Sequence, residues 1–214
     1  MLEIIHSGNR HEYADCLEQM YAIRHTLYVE QRGWKALERC DKRDIDQFDN
    51  KDAVYLLWLD DRKGVHGGMR LMPTDRPHLI SEVFPHTVEF EPIPRAPDIY
   101  EITRYFAMDF QEAGIPMGRI SSDVLCGTIE FLVAQRARYM TVVCDTFFVP
   151  MMLECGWDVQ PLGLPTPYPE GTCISLKVPI DADMLESTRK GRGVSRSVFR
   201  HRERYLAMTE SRRG

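Results

Sequence analysis

Three arginines, three acidic residues and two aromatic residues are spaced through the first half of the chain in a pattern that suits a small zwitterionic ligand. Guanidinium groups hold carboxylates in a bidentate fork, acidic side chains hold ammonium groups, and aromatic faces favour a desolvated cation. The residues are Arg24, Tyr28, Trp34, Asp46, Asp49, Arg70, Glu101 and Arg104. The pattern therefore predicts a pocket for a ligand that carries both a carboxylate and a cationic centre.

Two predicted elements carry the first of these residues. Arg24 and Tyr28 lie four residues apart in a segment with apolar residues at helical spacing, so one face of a helix is expected to hold both. The polar segment 32–52 follows and contains the tryptophan and both aspartates of the set. It predicts a long loop with a helical turn, and long ordered loops in compact domains are commonly functional.

The rest of the chain alternates between strand-like and helical segments. Strands are predicted at 2–6, 53–59, 65–72, 99–108, 140–144 and 172–180, and further helices from Ser121 or Ser122 to about Tyr139 and at 150–155. This order predicts a mixed α/β domain with helices packed on a central sheet. We place the domain at residues 1–185 and a basic tail at 186–214, which is either a solvated terminus or a contact surface for an anionic partner.

Glu101 and Arg104 are three residues apart in the strand predicted at 99–108. On a flat strand, residues at this spacing point to opposite faces of the sheet. Both can line one pocket only if the strand bulges or twists between them. The sequence therefore predicts an irregularity in this strand if the two residues belong to one site.

The composition argues against several classes of protein. A net charge of -5 disfavours a nucleic-acid-binding protein, and six scattered cysteines without a C-x-x-C pair favour a reduced, cytosolic protein. The chain shows no signal-peptide pattern and no segment as long as a membrane span. The seven histidines form no H-E-x-x-H motif, so no metal site is expected. We expect a cytoplasmic protein, a monomer or weak dimer, without membrane or nucleic-acid partners.

The charged and aromatic set also resembles a known family. Acyl-homoserine lactone synthases are bacterial autoinducer synthases that join S-adenosylmethionine (SAM) to an activated acyl group, and their pattern is Arg, Phe, Trp, Asp, Asp, Arg, Phe, Glu, Arg. This chain has Arg24, Tyr28, Trp34, Asp46, Asp49, Arg70, Phe84, Glu101 and Arg104. A single position differs, by a Phe-to-Tyr change. The resemblance in layout runs to about residue 180 and is far more specific than one short motif.

The resemblance implies a fold similar to that of N-acetyltransferases, a single domain in which a mixed sheet is flanked by helices and two central strands separate into a V. The pantetheine arm of the acyl donor passes through such a V. We expect 105–108 and 141–144 to form its two arms. The residues expected to contact the acyl group are Phe106, Met108, Thr141, Val143, Phe147, Phe148, Met151 and Met152.

The resemblance also implies a division of roles between site residues. The catalytic residues are expected to be Glu101, Asp46, Asp49 and Arg70. The SAM-binding residues are expected to be Arg24, Tyr28, Trp34, Phe84 and Arg104, with Arg104 or Arg24 as the clamp for the SAM carboxylate.

The implied reaction has two steps. The amine of SAM attacks an acyl thioester, and the SAM carboxylate oxygen then attacks its own γ-carbon, which releases methylthioadenosine and closes the lactone. Glu101, acting directly or through a water, is our candidate for the base that keeps the amine neutral. The second step needs positioning more than acid–base catalysis, because the sulfonium is already an activated leaving group. No cofactor is expected, because SAM and the thioester are substrates.

The acyl donor is either a coenzyme A thioester or an acyl-carrier protein. A carrier protein is strongly acidic and needs a basic dock, yet the short helix predicted at 150–155 has no basic residue. The stretches 31–34, 46–49, 81–86 and 161–165 resemble a smaller subgroup that uses acyl-CoA and makes aryl or branched acyl products. We favour coenzyme A, while the basic tail keeps a carrier protein open.

Two functions of other kinds also remain open. An N-acyltransferase of the same fold acting on a different amine would need neither Trp34 nor the cluster of Arg24, Asp46 and Asp49, and it would not release methylthioadenosine. A non-enzymatic module that binds nucleic acid through the tail would bind in a salt-dependent manner. The net charge of -5 argues against the second function.

Overall fold

The computed structural model describes residues 1–108 and 118–201, which form one sheet with helices on both faces. The strands are β1 (Leu2–Ile5), β2 (Val54–Leu59), β3 (Val65–Pro73), β4 (Ile99–Ala107), β5 (Tyr139–Asp145), β6 (Gln160–Pro161), β7 (Thr166–Tyr168) and β8 (Gly171–Pro179). The helices are α1 (Ala14–Arg24), α2 (Leu79–Glu82), α3 (Arg119–Ala134), α4 (Val149–Glu154) and α5 (Ala182–Arg192). A π-helical segment, His25–Gln31, continues α1. The fold is therefore the mixed α/β arrangement that the sequence predicts.

β2 is buried along its whole length because both faces of the sheet are covered. Side chains alternate between the faces of a strand. Leu56 and Trp58 pack in a cluster with the apolar side chains of α3, whereas Tyr55 and Leu57 pack in a second cluster with those of α1. The continuous apolar run of this strand thus follows from burial on both sides.

The sheet divides between β4 and β5. The strand order is β1-β2-β3-β4-β5-β8-β6, with β7 paired to β8, and β4–β5 is the parallel pair. The β4–β5 ladder begins at Ile99 and Tyr139 and ends at Glu101 and Thr141. Beyond that rung β4 continues to Ala107 and β5 to Asp145, so the two strands separate and leave a V-shaped gap. In β4 the gap begins after Glu101, ahead of the arm predicted at 105–108. In β5 it begins after Thr141, the first residue of the arm predicted at 141–144.

A β-bulge lies in β4 between Thr103 and Phe106. Gly68 of β3 pairs with Phe106 and Arg70 pairs with Thr103, so β4 holds one residue more than its partner over this interval. Arg104 adopts a left-handed backbone conformation with φ of 55°. The strand is therefore irregular at Arg104, but the pairing from Glu101 to Thr103 is regular.

The C-terminal segment is part of the packed domain as far as the structure describes it. The helix α5 runs across the boundary that the sequence places between residues 185 and 186. After it, Val194, Val198 and Phe199 are buried in the same cluster as Leu2, and Leu2 donates its amide hydrogen to the carbonyl of Val198 at 3.0 Å. A solvated tail beginning at residue 186 is therefore wrong for 186–201, and residues 202–214 lie outside the described part of the chain.

The predicted helix in the middle of the chain differs from α3 at both ends. It begins at Arg119 rather than at Ser121 or Ser122, and it ends at Ala134 rather than near Tyr139, where β5 begins. Arg136, with φ of 54°, takes a left-handed conformation that a helix cannot continue through. Within 1–108 and 118–201, none of the helices combines the length and the apolar character that crossing a membrane requires.

Candidate active site

A cavity of about 390 Å³ occupies the gap between the separated parts of β4 and β5. Its walls come from both strands, from the loop after α1, from α2 and from α4. Most of the wall is apolar, with Met69, Leu79, Val83, Phe84, Ile102, Leu125, Val142, Val143, Phe148, Met151, Met152 and Trp157 as members. The polar side chains of the wall include Tyr28, Arg32, Asp46, Thr103, Arg104, Asp145, Tyr168 and Glu170. The cavity thus joins an apolar chamber to a strongly polar region.

Three arginines and three aspartates form a closed ring of alternating charge beside this cavity. We call it the charged ring, and its order is Arg24, Asp44, Arg104, Asp46, Arg70, Asp49 and back to Arg24. Every contact between neighbours is between 2.6 and 3.0 Å. Each arginine contacts two carboxylates, and each carboxylate contacts two guanidinium groups.

The charged ring is buried because its charges balance. Arg24 and Asp49 have fully buried side chains, and those of Arg70 and Asp44 are 1% exposed. Burial alone would raise the pKa of Asp44, but the guanidinium groups of Arg104 and Arg24 outweigh it and hold that pKa below its ordinary value. A buried ion pair is stable only when its geometry and remaining hydrogen bonds compensate the loss of water. Here each charge has two partners of opposite sign.

Two members of the ring, Arg104 and Asp46, also line the cavity. Arg104 uses Nε and Nη2 to bind Asp44 and Nη2 to reach Asp46, which leaves Nη1 without a partner among the described residues. The side chain of Asp46 is 15% exposed, the most of any ring member. A cation and an anion therefore stand side by side at the cavity wall. The other predicted residues of this group, Arg24, Asp49 and Arg70, lie behind that wall.

The aromatic pair predicted from the sequence also lies at the cavity. The rings of Tyr28 and Trp34 stack with centroids 5.0 Å apart and planes inclined by 12°. The Tyr28 hydroxyl donates to the carbonyl of Tyr105 in the bulged part of β4. Burial raises the pKa of Tyr28 to about 12, so it stays a neutral donor. The Phe-to-Tyr change thus adds a hydrogen bond between the helical segment and the bulge.

Glu101 lies at the closed end of the V rather than on the cavity wall. Its two oxygens accept the backbone N–H groups of Leu79 and Ile80, each at 2.7 Å, at the start of α2. The residue is 1% exposed. Burial raises the pKa of Glu101 to about 7, although the Ile80 and Leu79 amides and the Arg70 guanidinium act in the opposite direction. The structure therefore places this carboxylate under α2 and off the wall of the cavity.

Of the eight residues predicted to contact the acyl group, half lie at the cavity: Val143, Phe148, Met151 and Met152. The others are absent from its wall. Phe106 is buried in the cluster on the α1 side of the sheet, and Met108 packs against the same cluster. Thr141 is buried in the last rung of the β4–β5 ladder. Phe147 is 57% exposed, and the Arg32 guanidinium lies 4.8 Å from the centre of its ring.

Sequence reasoning missed several charged residues of this site. Asp44 completes the ring, and the acidic run that contains Asp44 and Asp46 in 41–49 is the signal that could have indicated it. A second cluster lies across the cavity, where Arg32 forms an ion pair with Asp145 and Tyr168 donates its hydroxyl hydrogen to the same carboxylate. Nothing in the spacing of these three residues indicates that they meet. Among the described residues, no group of three or more potential ligands is arranged to hold a metal ion.

The split sheet and its cavity define the class of protein. The mixed sheet, which separates between two parallel central strands and has helices on both faces, is similar in fold to a solved putative N-acetyltransferase from Lactobacillus plantarum, with a TM-score of 0.54 and 15% identity over 84% of this chain and 99% of that one. The chain therefore has an N-acetyltransferase-like fold.

The chain belongs to the autoinducer synthase family, whose model matches residues 9–188. It is 39% identical, over 77% of its length and 73% of the relative's, to the isovaleryl-homoserine lactone synthase of Bradyrhizobium diazoefficiens. It is similar to two solved CoA-dependent acyl-homoserine lactone synthases. One is BjaI with SAM and isopentyl-CoA, with a TM-score of 0.83 and 32% identity over 99% of both chains. The other is MesI, with a TM-score of 0.81 and 38% identity over 92% of this chain and 98% of that one.

Proposed function

We propose that the protein transfers an acyl group from a coenzyme A thioester to the amine of SAM and then closes the homoserine lactone, with release of methylthioadenosine. The observation that carries this proposal is the position of the Arg104–Asp46 pair, which borders an apolar cavity in the split of the sheet. The complex of the similar synthase BjaI with SAM and isopentyl-CoA supports it.

The charged ring presents complementary groups to the amino-acid part of SAM. The free Nη1 of Arg104 is placed to donate to the substrate carboxylate, and Asp46 to accept from the substrate ammonium. Asp44 already occupies Nε and Nη2 of Arg104. Arg104 therefore binds the carboxylate through one nitrogen and not through the bidentate fork that the sequence suggests.

The amine must lose its proton before it attacks the thioester carbonyl. In that step a C–N bond forms, the C–S bond breaks and the coenzyme A thiolate leaves. The carboxylates on the cavity wall are Asp46, Asp145 and Glu170. A base must lie within hydrogen-bond reach of the proton, directly or through one water. These carboxylates are better placed than Glu101 to receive it.

The apolar chamber suits a compact acyl group. Met152 and Trp157, which are 4% and 3% exposed, close one part of it, and Phe148 adds an aromatic face. The name of the similar Bradyrhizobium enzyme specifies isovaleryl, a short branched group. We therefore place a branched or aryl acyl group in this chamber.

The described part of the chain offers little to an acidic carrier protein. The helix α4 has no basic residue. Three of the five Lys and Arg residues of 186–201 have partners within the domain: Arg189 pairs with Glu130, Arg192 with the sulfur of Cys155, and Arg200 with Asp61. These contacts favour coenzyme A as the donor. Cytoplasmic location and a monomer or weak dimer stay predictions.

The test is to incubate the protein with SAM and matched acyl groups carried either by coenzyme A or by an acyl-carrier protein. Isovaleryl, aryl and straight-chain groups form the panel. We expect an acyl-homoserine lactone, with methylthioadenosine and coenzyme A released in equal amounts, identified by mass spectrometry. Faster turnover with the carrier protein would reverse the choice of donor. Acylation of another amine without methylthioadenosine would instead identify a plain N-acyltransferase.

A further inference from the structure

Glu101 occupies the point where the V begins. Its own rung with Thr141 is the last of the β4–β5 ladder. Its carboxylate oxygens leave the sheet to accept hydrogen bonds from Leu79 and Ile80, the first two residues of α2. Glu101 thus connects the closed end of the split sheet with a separate element some twenty residues earlier in the chain.

The helix α2 depends on such an anchor. It has four residues, and a single helical turn is not stable by itself in water. The first amide groups of a helix lack partners within the helix. Two of these amides donate to Glu101, each at 2.7 Å.

The anchored helix forms one wall of the cavity. Leu79 and Val83 line the cavity, and Phe84, which directly follows them, does so as well. The position of these three side chains is therefore determined by where the start of α2 is held.

We propose that Glu101 is a positioning residue that holds α2 against the closed end of the V and so sets the wall of the acyl pocket made by Leu79, Val83 and Phe84. The proposal rests on the acyl-transfer function proposed above. It replaces the role of general base, because the Glu101 carboxylate is off the cavity wall, whereas Asp46, Asp145 and Glu170 line it. A base needs an oxygen that can reach the substrate proton.

The first experiment measures the anchor without any substrate. A Glu101→Gln side chain keeps its shape but can accept from one of the two amides only, since its NH2 group is a donor. We expect hydrogen exchange of the amides in 79–84 to accelerate by about tenfold or more. The matched control is Glu82→Gln on the outer part of the same helix, whose exchange should not change. Unchanged exchange in Glu101→Gln would overturn the proposal.

The second experiment separates positioning from proton transfer. In Glu101→Gln we expect the KM for acyl-CoA to rise and the discrimination between acyl groups to weaken. The single-turnover acylation rate at saturating donor should fall less than the roughly hundred- to ten-thousandfold that loss of a general base costs. Val83→Ala, which alters the wall and leaves Glu101 intact, should also weaken discrimination. A fall in the acylation rate as large as the loss of a general base causes, with normal KM and normal selectivity, would contradict the positioning role.

The two measurements also separate this proposal from the proposed function. If wild-type protein forms no lactone from any thioester in the panel, the acyl-transfer function fails, while the exchange experiment still reports whether Glu101 anchors α2. If lactone forms and exchange in 79–84 is insensitive to Glu101→Gln, the function stands and the positioning role is wrong.

Discussion

Each carboxylate of the charged ring is held by two guanidinium groups, so neutralising one member leaves two buried cations with too few partners. Asp44 shows this most directly, because it connects Arg24 to Arg104 and its side chain is 1% exposed. Breaking a buried ion pair by removing one partner typically costs about 3–5 kcal/mol. Stability and substrate binding are thus coupled at this residue through Arg104.

We expect Asp44→Asn to lower the free energy of unfolding by about 3 kcal/mol or more and to weaken SAM binding, because the amide cannot neutralise the two arginines. Urea unfolding and calorimetric titration with SAM measure the two effects. The control is Asp41→Asn in the same loop, where the side chain pairs with Arg39 and Arg43 at the surface and should leave both quantities unchanged. Equal behaviour of the two variants would show that the ring does not act as a unit.

The buried Glu101 carboxyl predicts a pH dependence of stability. Its pKa is raised by burial from 4.5 to about 7, despite the opposing effects of the α2 amides and Arg70 and with a small further increase from Asp46. The folded protein therefore holds this proton more tightly than the unfolded chain. The associated stability is fully present below pH 4.5 and is lost as the pH rises through 7.

Glu101→Gln does not titrate, so it provides the reference for that effect. Between pH 4.5 and 7 we expect the wild type to lose up to about 3 kcal/mol of unfolding free energy relative to Glu101→Gln. Urea unfolding of both proteins at a series of pH values measures the difference. A difference that does not change with pH would mean that Glu101 titrates normally in the folded state.

At the scale of elements, β4 determines the architecture of the site. Its first three residues pair with β5, its bulge turns Arg104 into the charged ring, and the rest of the strand forms one arm of the V. On the opposite side, α4 places Met151 and Met152 in the cavity wall and leaves Leu153 57% exposed. Met152 and Leu153 are thus apolar neighbours of similar size on one short helix, the first buried and the second exposed.

We expect Met152→Ala to enlarge the acyl chamber and to increase turnover of bulkier acyl-CoA substrates relative to isovaleryl-CoA. Removing this buried side chain should also cost about 2–5 kcal/mol of stability. Thermal unfolding and product ratios from mixed acyl-CoA substrates measure the two outcomes. Leu153→Ala, the exposed neighbour, should alter neither. If Met152→Ala kept the wild-type product ratio, this part of the cavity would not hold the acyl group.

At the scale of the whole molecule, the C-terminal segment completes the core. Thr188 on α5 accepts the indole hydrogen of Trp157 at 2.9 Å, and Arg189 pairs with Glu130 of α3 at 2.9 Å. Farther on, Phe199 and its neighbours cover the outer edge of β1, where Arg200 donates its amide hydrogen to Leu2. This edge would otherwise expose unpaired backbone groups.

A chain that ends at residue 185 should therefore unfold at a much lower temperature than the full chain, because it lacks most of α5 and the cover of β1. A chain that ends at residue 201 retains all of these described contacts and serves as the control. Differential scanning calorimetry of the three proteins measures the effect. Equal unfolding temperatures for the chains ending at 185 and 201 would show that the segment is dispensable for folding.

The sequence by itself determined the order of the main elements and the family. These conclusions depend on local periodicity and on an ordered pattern of residue types, which a single chain displays. It also predicted that Tyr28 and Trp34 lie at the pocket, because the resemblance carries each residue to a defined position.

Only the tertiary structure decided which side chains meet. The charged ring joins residues 20 to 60 positions apart, and Arg32 meets Asp145 across 113 positions, so no local pattern reports these contacts. Phe106 was predicted in the acyl pocket but packs on the α1 side, since a bulge of one residue changes the face to which the following side chains point. The contact between Glu101 and α2 is also long-range. Its two hydrogen-bond donors, Leu79 and Ile80, lie 22 and 21 positions away in the chain, so no local pattern indicates that they meet.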